Sequence, residues 1–331
     1  MSDKIDFVVT WVDGSDQKWI QRKKRVEKSN NIDYNYDATS RYRDMGVFKY
    51  WFRAIEQNAP WFNKIYLVTD RQVPEWLNLN NDKVKIIDHT DIIDHNYLPT
   101  YNSNAIELSF DKIPGLSEKF VLFNDDTFIN KEILPEFFFK GNQVRDTKSY
   151  SAIVPTQGGS YFSFNDVELI NTNFKKKINW LEQLRLILDG NFNIVLKNIL
   201  VNPYKKITGY YDSHMPISYL KKSFEEAKLL DAEAWEATIA SQFRNERNLN
   251  HMLVRYLQLE QGRYIYRNPK LNKYYSILDI ENVCRDIQKG KHSMICINDA
   301  DNVESKEFNS YRSKLLKAFD IRYSKKSLFE V

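Results

Sequence analysis

The chain has 331 residues, 42% of them hydrophobic, 14% aromatic and 28% charged, with 10 Gly, 9 Pro and a net charge of +4. This balance suits one large globular domain, or a core with a sizeable insertion, and excludes low-complexity and disordered classes. So small a net charge carries no nucleic-acid footprint, and no nucleic-acid partner is expected. In chain order, residues 5–12 form an apolar, β-branched run ending at Asp13-Gly14, which reads as a buried strand and a turn. Over 44–58, Val47, Tyr50, Trp51, Ala54 and Ile55 recur at helical spacing. Strands follow at 65–68, 84–87 and 120–123, the last ending in Asn124-Asp125-Asp126, with a helix expected over 104–113 before Pro114-Gly115. Residues 165–262 read as mainly helical, with amphipathic stretches at 181–188 and 249–259. Strands return at 273–278 and 293–297, and a helix is expected over 304–319.

Strands alternating with helices define an α/β fold with an open, mostly parallel Rossmann-like sheet. The expected core is 1–163 with 263–331, and 164–262 is a mainly helical insertion, a cap or lid carrying His214 and Arg244. Ligands of such sheets gather beyond the carboxyl ends of the strands, so Asp13, Asp70, Asp88, Asp125 and Asp126 should share one rim.

The two cysteines, Cys284 and Cys296, have neither zinc-ribbon nor CxxC spacing and read as reduced thiols. No basic-then-apolar leader and no run of roughly 18 apolar residues is present, so a cytoplasmic protein is expected. Lysines cluster at 175–177, 205–206, 221–222 and 314–326. They fit either solvated helix faces or a peripheral contact with the anionic inner face of the plasma membrane.

Several residues could carry chemistry. Asp125 and Asp126 could hold Mg²⁺ or Mn²⁺, which prefer oxygen ligands, or could simply close the strand in an Asx turn. Gly14 would let a ligand approach the backbone beside Trp11 and Asp13, though a lone Asp-Gly is usually a turn. Asn102, Ser103, Asn104 and Glu107 open a helix whose first amides could bind phosphate or merely be capped. His214 is a base candidate among five histidines, and Arg244 could clamp a phosphate. No Walker A, dinucleotide fingerprint, HExxH or GxSxG sequence occurs.

Four blocks then resemble, in order, the conserved regions of the Stealth family of capsular and cell-wall polysaccharide hexose-1-phosphate transferases, which are related to the lysosomal-enzyme N-acetylglucosamine-1-phosphotransferase. They are IDFVVTWVDGSD; a second block from Arg41 to Ile129 with LPTYNSNAIE and IPGLSEKFVLFNDDTFI; SHMPISYLKKSFEE through FRNERNLN; and ICINDADNVE with YSKKSLFE. The resemblance implies a glycosyltransferase A-like fold, and a metal site at Asp125 and Asp126. It implies donor contacts from Trp11, Asp13, Gly14, Asn102, Ser103, Asn104 and Glu107. Arg41, Arg53, Asn298 and Asp299 match further substrate-binding positions, while His214, Arg244 and Asp126 match catalytic ones. Ser327 and Glu330 match the closing serine and glutamate. Ser109 and Asp111 stand where family members usually carry histidine, and an acidic residue is replaced near Gly46. The implied partners are a nucleotide sugar, UDP-linked by preference, and a glycan acceptor on a lipid carrier. A metal-dependent glycosyltransferase releasing the nucleoside diphosphate is the nearest alternative, and a non-catalytic glycan-binding scaffold a more distant one.

Overall fold

The computed structural model describes residues 4–30, 43–155, 160–300 and 303–331. Its first half runs β1 (Ile5–Thr10), α1 (Gln17–Asn30), α2 (Phe48–Asn58), β2 (Ile65–Thr69), β3 (Val84–Asp88), α3 (His89–Ile92), α4 (Ser103–Glu107) and β4 (Lys119–Asn124). Then come β5 (Thr127–Ile129), β6 (Phe139–Lys140), β7 (Gln143–Asp146), α5 (Ser160–Asn173), α6 (Trp180–Leu188), α7 (Phe192–Val201) and β8 (Ile217–Leu220). The chain closes with α8 (Lys222–Lys228), α9 (Ala232–Ala240), α10 (Met252–Glu260), β9 (Tyr264–Tyr266), β10 (Asn272–Ser276), α11 (Ile280–Lys289), β11 (Met294–Asn298) and α12 (Ser305–Arg322).

Five strands form the main sheet in the order β3-β2-β1-β4-β8. The pairs β3-β2, β2-β1 and β1-β4 are parallel, and β8 lies antiparallel to β4. This is the α/β, mostly parallel sheet that the alternating elements predict. The central strands are apolar on both faces, as a sheet covered on both sides requires. Phe7, Val9, Ile65, Leu67, Val121 and Phe123 point into one core, with α2 and α12. Val8, Tyr66, Val68, Phe120 and Leu122 alternate into the other, with α8 and α10. One polar intruder, Asp6 in β1, is fully buried and accepts from Asn63 Nδ2 (2.6 Å), Lys64 N (3.2 Å) and Ser117 N (2.7 Å). Those bonds compensate its lost hydration and tie the loops at the amino end of the sheet.

Two expectations are revised. The helix expected over 104–113 is α4 followed by a separate 3₁₀ turn, Phe110–Lys112, because Ser109 Oγ turns back to Ala105 O at 2.9 Å. The span 164–262 holds most of α5 and all of α6 to α10, yet also supplies β8, whose Ser218–Leu220 stretch is buried against β4. That span is therefore part of the sheet as well as a cover for it. The last block of the chain is joined in by a second sheet, β10-β11-β5, in which β11 runs antiparallel to β5 directly after Asp126.

Candidate active site

Strand register decides the rim. Thr10 lies beside both Val68 and Asn124, and Thr69 beside Asp88, so β1 to β4 end flush. Residues 11–14, Asp70, Asp88 and 124–126 consequently occupy one edge, as the sequence predicts. Around the first of these, the Trp11 ring stacks on Phe48 (centroids 5.8 Å, planes 5° apart). Asp13 Oδ1 accepts from Ser15 N (2.8 Å) and Ser15 Oγ (2.6 Å). Gln72 braces the turn from β2, accepting from Asp13 N at 2.9 Å and donating to Asp13 O (3.1 Å) and Asp16 Oδ2 (3.0 Å). The backbone at Gly14 is partly exposed within this braced turn. Asp70 is held by Arg22 at 3.0 Å.

The acidic pair occupies the tip of β4. Asp125 keeps an exposed edge, yet the crowding of protein around its carboxyl weakens hydration, and the charges of Asp126 and Asp44 add to the effect, so the carboxyl is pushed up to about 7. Burial likewise raises Asp126, against the opposing effect of Cys296 and His214. Cys296 Sγ donates to Asp126 Oδ2 at 3.4 Å, while Asp126 Oδ1 is buried with no hydrogen-bond partner. An orphaned carboxylate oxygen is costly unless a donor or cation completes it. Two hard oxygen donors that repel one another at a partly open strand end fit a divalent cation of the Mg²⁺ or Mn²⁺ type, which would supply charge neutralisation for a bound diphosphate. Among the described residues no cluster of three or more metal-ligating side chains forms, so remaining ligands would come from substrate and water.

His214 reaches this site from the loop before β8. Its backbone is left-handed (φ 54°), an unusual conformation for a residue with a Cβ, and its N–H donates to Asp212 Oδ1 at 2.9 Å. Its Nδ1 lies 3.4 Å from Asp212 Oδ2, and its ring meets Tyr274 edge-on at 5.5 Å. The Asp212 contact raises the imidazole above its ordinary value; partial desolvation of the largely exposed ring opposes this, and the charges of Asp212 and Asp126 reinforce it. The Asp212 side chain is 41% exposed; its partial loss of hydration works against its charge, but His214 and Arg255 outweigh that and hold the carboxyl below the usual range. Here β11 contributes too: Asn298 Nδ2 donates to Tyr274 Oη at 2.8 Å, and Ile297 N donates to Asp126 O at 2.9 Å. Thus 125–126, His214 and Asn298, from three separate blocks of sequence, meet at one end of the sheet.

A second group forms around α4. Arg244 Nη2 donates to Ser103 Oγ, joining the third block to the second. Asn102 is fully buried: it caps α4 through Asn104 N (3.1 Å), and its Nδ2 donates to Ser241 O (3.1 Å) and Asn248 Oδ1 (2.9 Å). It therefore positions the 241–248 loop rather than facing a ligand. Asn104 is buried with Nδ2 unpaired. Glu107 Oε2 lies 3.6 Å from His251 Nε2, and the His251 Nδ1 is 2.7 Å from Tyr219 Oη.

Two expected substrate contacts are used otherwise. Arg53 is buried, its guanidinium paired with Glu330 at 2.7 and 2.6 Å and donating to Tyr323 O at 2.9 Å. Asp299 accepts both arms of Arg43 at 2.7 and 2.8 Å. Arg41 lies outside the described residues. Ser109 and Asp111, where the family resemblance implies histidine, sit at the start of and within the 3₁₀ turn after α4, with Ser109 buried and the Asp111 carboxyl raised by burial. Asp212, Asp44, Arg43, Tyr274 and Cys296 join the site only through the fold; in the sequence only Asp212 carries a local signal, its place two residues before His214.

An open α/β sheet with a metal-compatible carboxylate pair and a histidine–aspartate pair at its carboxyl edge, and an arginine held at α4, is the apparatus of an enzyme. The chain belongs to the Stealth family: the models for conserved regions 1 and 2 match residues 3–31 and 41–147. It is 40% identical to the capsular polysaccharide phosphotransferase WcwK of Streptococcus pneumoniae, covering 99% of this chain and 98% of that one. It is 42% identical to the exopolysaccharide phosphotransferase cps2G of Lactiplantibacillus plantarum, covering 98% and 96%. Among solved structures, the galactosyltransferase LgtC in complex with donor and acceptor sugar analogs aligns over 94% of this chain and 96% of that one, at 9% identity and a TM-score of 0.40.

Proposed function

We propose that this enzyme transfers a hexose or N-acetylhexosamine 1-phosphate from a nucleotide sugar to a glycan hydroxyl, forming a phosphodiester in capsular or exopolysaccharide synthesis. The observation that supports it is the meeting of Asp125 and Asp126 with His214 at the carboxyl edge of the sheet, in a chain whose full-length relatives are named as polysaccharide phosphotransferases.

Asp125 and Asp126 would hold the divalent cation, which when bound offsets the charge of the donor diphosphate. Asp212 keeps the His214 ring oriented and strengthens it as a base. In its neutral form His214 takes the proton from the acceptor hydroxyl, whose oxygen then attacks the phosphorus nearest the sugar. The bond from that phosphorus to the bridging oxygen breaks, the nucleoside monophosphate leaves, and the sugar C1–O bond stays intact. Arg244, steadied by Ser103, carries fixed positive charge for the phosphoryl oxygens. Positioning and electrostatics supply the catalysis, as in phosphoryl transfer generally.

The test is the identity of the released nucleotide from UDP-, GDP- and CDP-sugars with Mg²⁺ or Mn²⁺ and glycan acceptors. Acceptor-dependent monophosphate with phosphorus retained in the product is expected, with UDP-sugars favoured. Release of the diphosphate with a phosphorus-free product would make the enzyme a glycosyltransferase instead.

A further inference from the structure

Helices α6 and α7 are amphipathic with the polar side turned inward. On α6, Trp180, Leu181, Leu184 and Leu188 share one face by their spacing, and all are exposed, Leu181 by 72% and Leu188 by 76%. On α7, Phe192, Leu196, Ile199 and Leu200 repeat the pattern, with Phe192 65% exposed. The opposite faces hold the hairpin to the protein by polar contacts. Glu182 accepts from Lys148 N (2.6 Å) and Tyr264 Oη (2.5 Å), and Asn198 Nδ2 donates to Ser149 Oγ at 3.1 Å. Beneath them a small apolar cluster, Leu186, Ile194 and Val195, is buried with Tyr211 and Tyr266 packed against it, and Val201 at the end of α7 enters the neighbouring core. Water-soluble helices bury their apolar face; this pair presents it to solvent.

The surrounding charge is of one sign. Between 174 and 211 the sequence has seven basic residues (Lys175, Lys176, Lys177, Arg185, Lys197, and the pair at 205–206) and two acidic ones, Glu182 and Asp189. Glu182 is buried and Asp189 accepts from Tyr266 Oη at 2.7 Å, while every one of the basic residues except Lys176 is exposed. An apolar ridge flanked by cations matches an anionic bilayer surface, into whose interface the leucines enter while the lysines meet headgroups. A second copy of the chain fits less well, since a symmetric pairing would oppose like charges. No described helix is long and apolar enough to cross a membrane.

We propose that α6 and α7 form a docking face for an anionic lipid bilayer. Tyr211, packed under the hairpin, lies three residues before His214, so docking would hold the catalytic edge near the membrane. The value of this for a lipid-carried acceptor rests on the proposed function, whereas the binding itself does not.

The experiment is co-sedimentation of the full chain with vesicles of phosphatidylcholine, alone or mixed with phosphatidylglycerol. Wild type should sediment with the mixed vesicles, less at high salt, and poorly with phosphatidylcholine alone. Joint replacement Leu181→Ser, Leu188→Ser and Leu200→Ser, all at exposed positions, should weaken binding by roughly tenfold or more while preserving the thermal transition and turnover of a soluble acceptor. Joint replacement of Lys175, Lys197 and Lys205 by Ala should abolish the preference for phosphatidylglycerol. Wild type left in the supernatant, or a leucine variant that sediments undiminished, would overturn the proposal. So would a dimer that the leucine replacements dissociate and that ignores vesicles, which would assign the face to a second copy. Vesicle binding uses no nucleotide sugar, so a failed transferase assay leaves this result standing, and the converse.

Discussion

Arg53 in α2 and Glu330 at the end of the chain, 277 positions apart, form a two-point ion pair at 2.7 and 2.6 Å in the interior. Ser327 N and Oγ donate to the same Glu330 oxygen that Arg53 Nε reaches, at 2.9 and 3.0 Å. The clasp pins the chain end against the helix that carries Trp51 and Phe52 into the core. Removing one partner leaves a buried charge uncompensated, so Arg53→Ala or Glu330→Gln should cost about 3–5 kcal/mol of stability. Urea denaturation would measure this, with the donor KM of the remaining folded enzyme unchanged. Normal stability with a raised donor KM would return Arg53 to the substrate site.

The acidic pair makes a linked prediction about metal and protons. With the Asp125 carboxyl at about 7, a cation binding at pH 6 must displace a proton that at pH 8 is already gone. Mn²⁺ affinity should therefore rise by up to about tenfold per pH unit below 7 and level off above it. Titration calorimetry in buffers of different ionisation enthalpy would count the protons released. Asp126→Asn should lower the affinity by one to two orders of magnitude or about that; unchanged Mn²⁺ binding in this variant would remove the pair from the metal site.

His214 and Asp212 predict the acid limb of the rate profile. A general base works only when neutral, and Asp212 favours its protonated form, so activity should rise through a pH above the ordinary imidazole value. Asp212→Asn removes that support and should move the acid limb of kcat to lower pH. It should also reduce the plateau through loss of ring orientation, by roughly ten- to a hundredfold. His214→Ala should lower kcat by about 10² to 10⁴ with the fold intact. A variant without His214 that turns over normally would show that another group accepts the proton.

Arg244 and Ser103 can be separated. Arg244→Ala should lower kcat by about 10² or more, and Arg244→Lys should recover only part, because a point charge does not reproduce the guanidinium fork. Ser103→Ala, which takes away only the steadying hydroxyl, should cost about tenfold or less. Rates measured with a phosphate-bearing donor would decide it: if both arginine variants changed only KM, Arg244 would be a ground-state contact.

Much of this protein was legible in the order of its residues because its strongest signals are local. Apolar runs such as 5–10 and 119–124 bury both faces of a parallel strand, so the pattern of each strand is complete within half a dozen positions. A strand that ends in Asn-Asp-Asp places its carboxylates beyond the sheet whichever neighbours it has, and the Asp13 turn and the rim followed in the same way. What composition and spacing left open was partnership across the fold. Nothing within 217–220 says that this strand leaves the helical span to pair with 119–122, and nothing within 53 or 299 says that Glu330 and Arg43 will occupy them. Charged side chains have the same local signature whether they meet a substrate or each other. Their pairing is settled only when residues hundreds of positions apart are desolvated together, because in that environment an unpaired charge is too costly to keep. The same physics acts in reverse at 180–200: a helical apolar stripe reads as core from sequence, and only packing determines that α6 and α7 turn it outward.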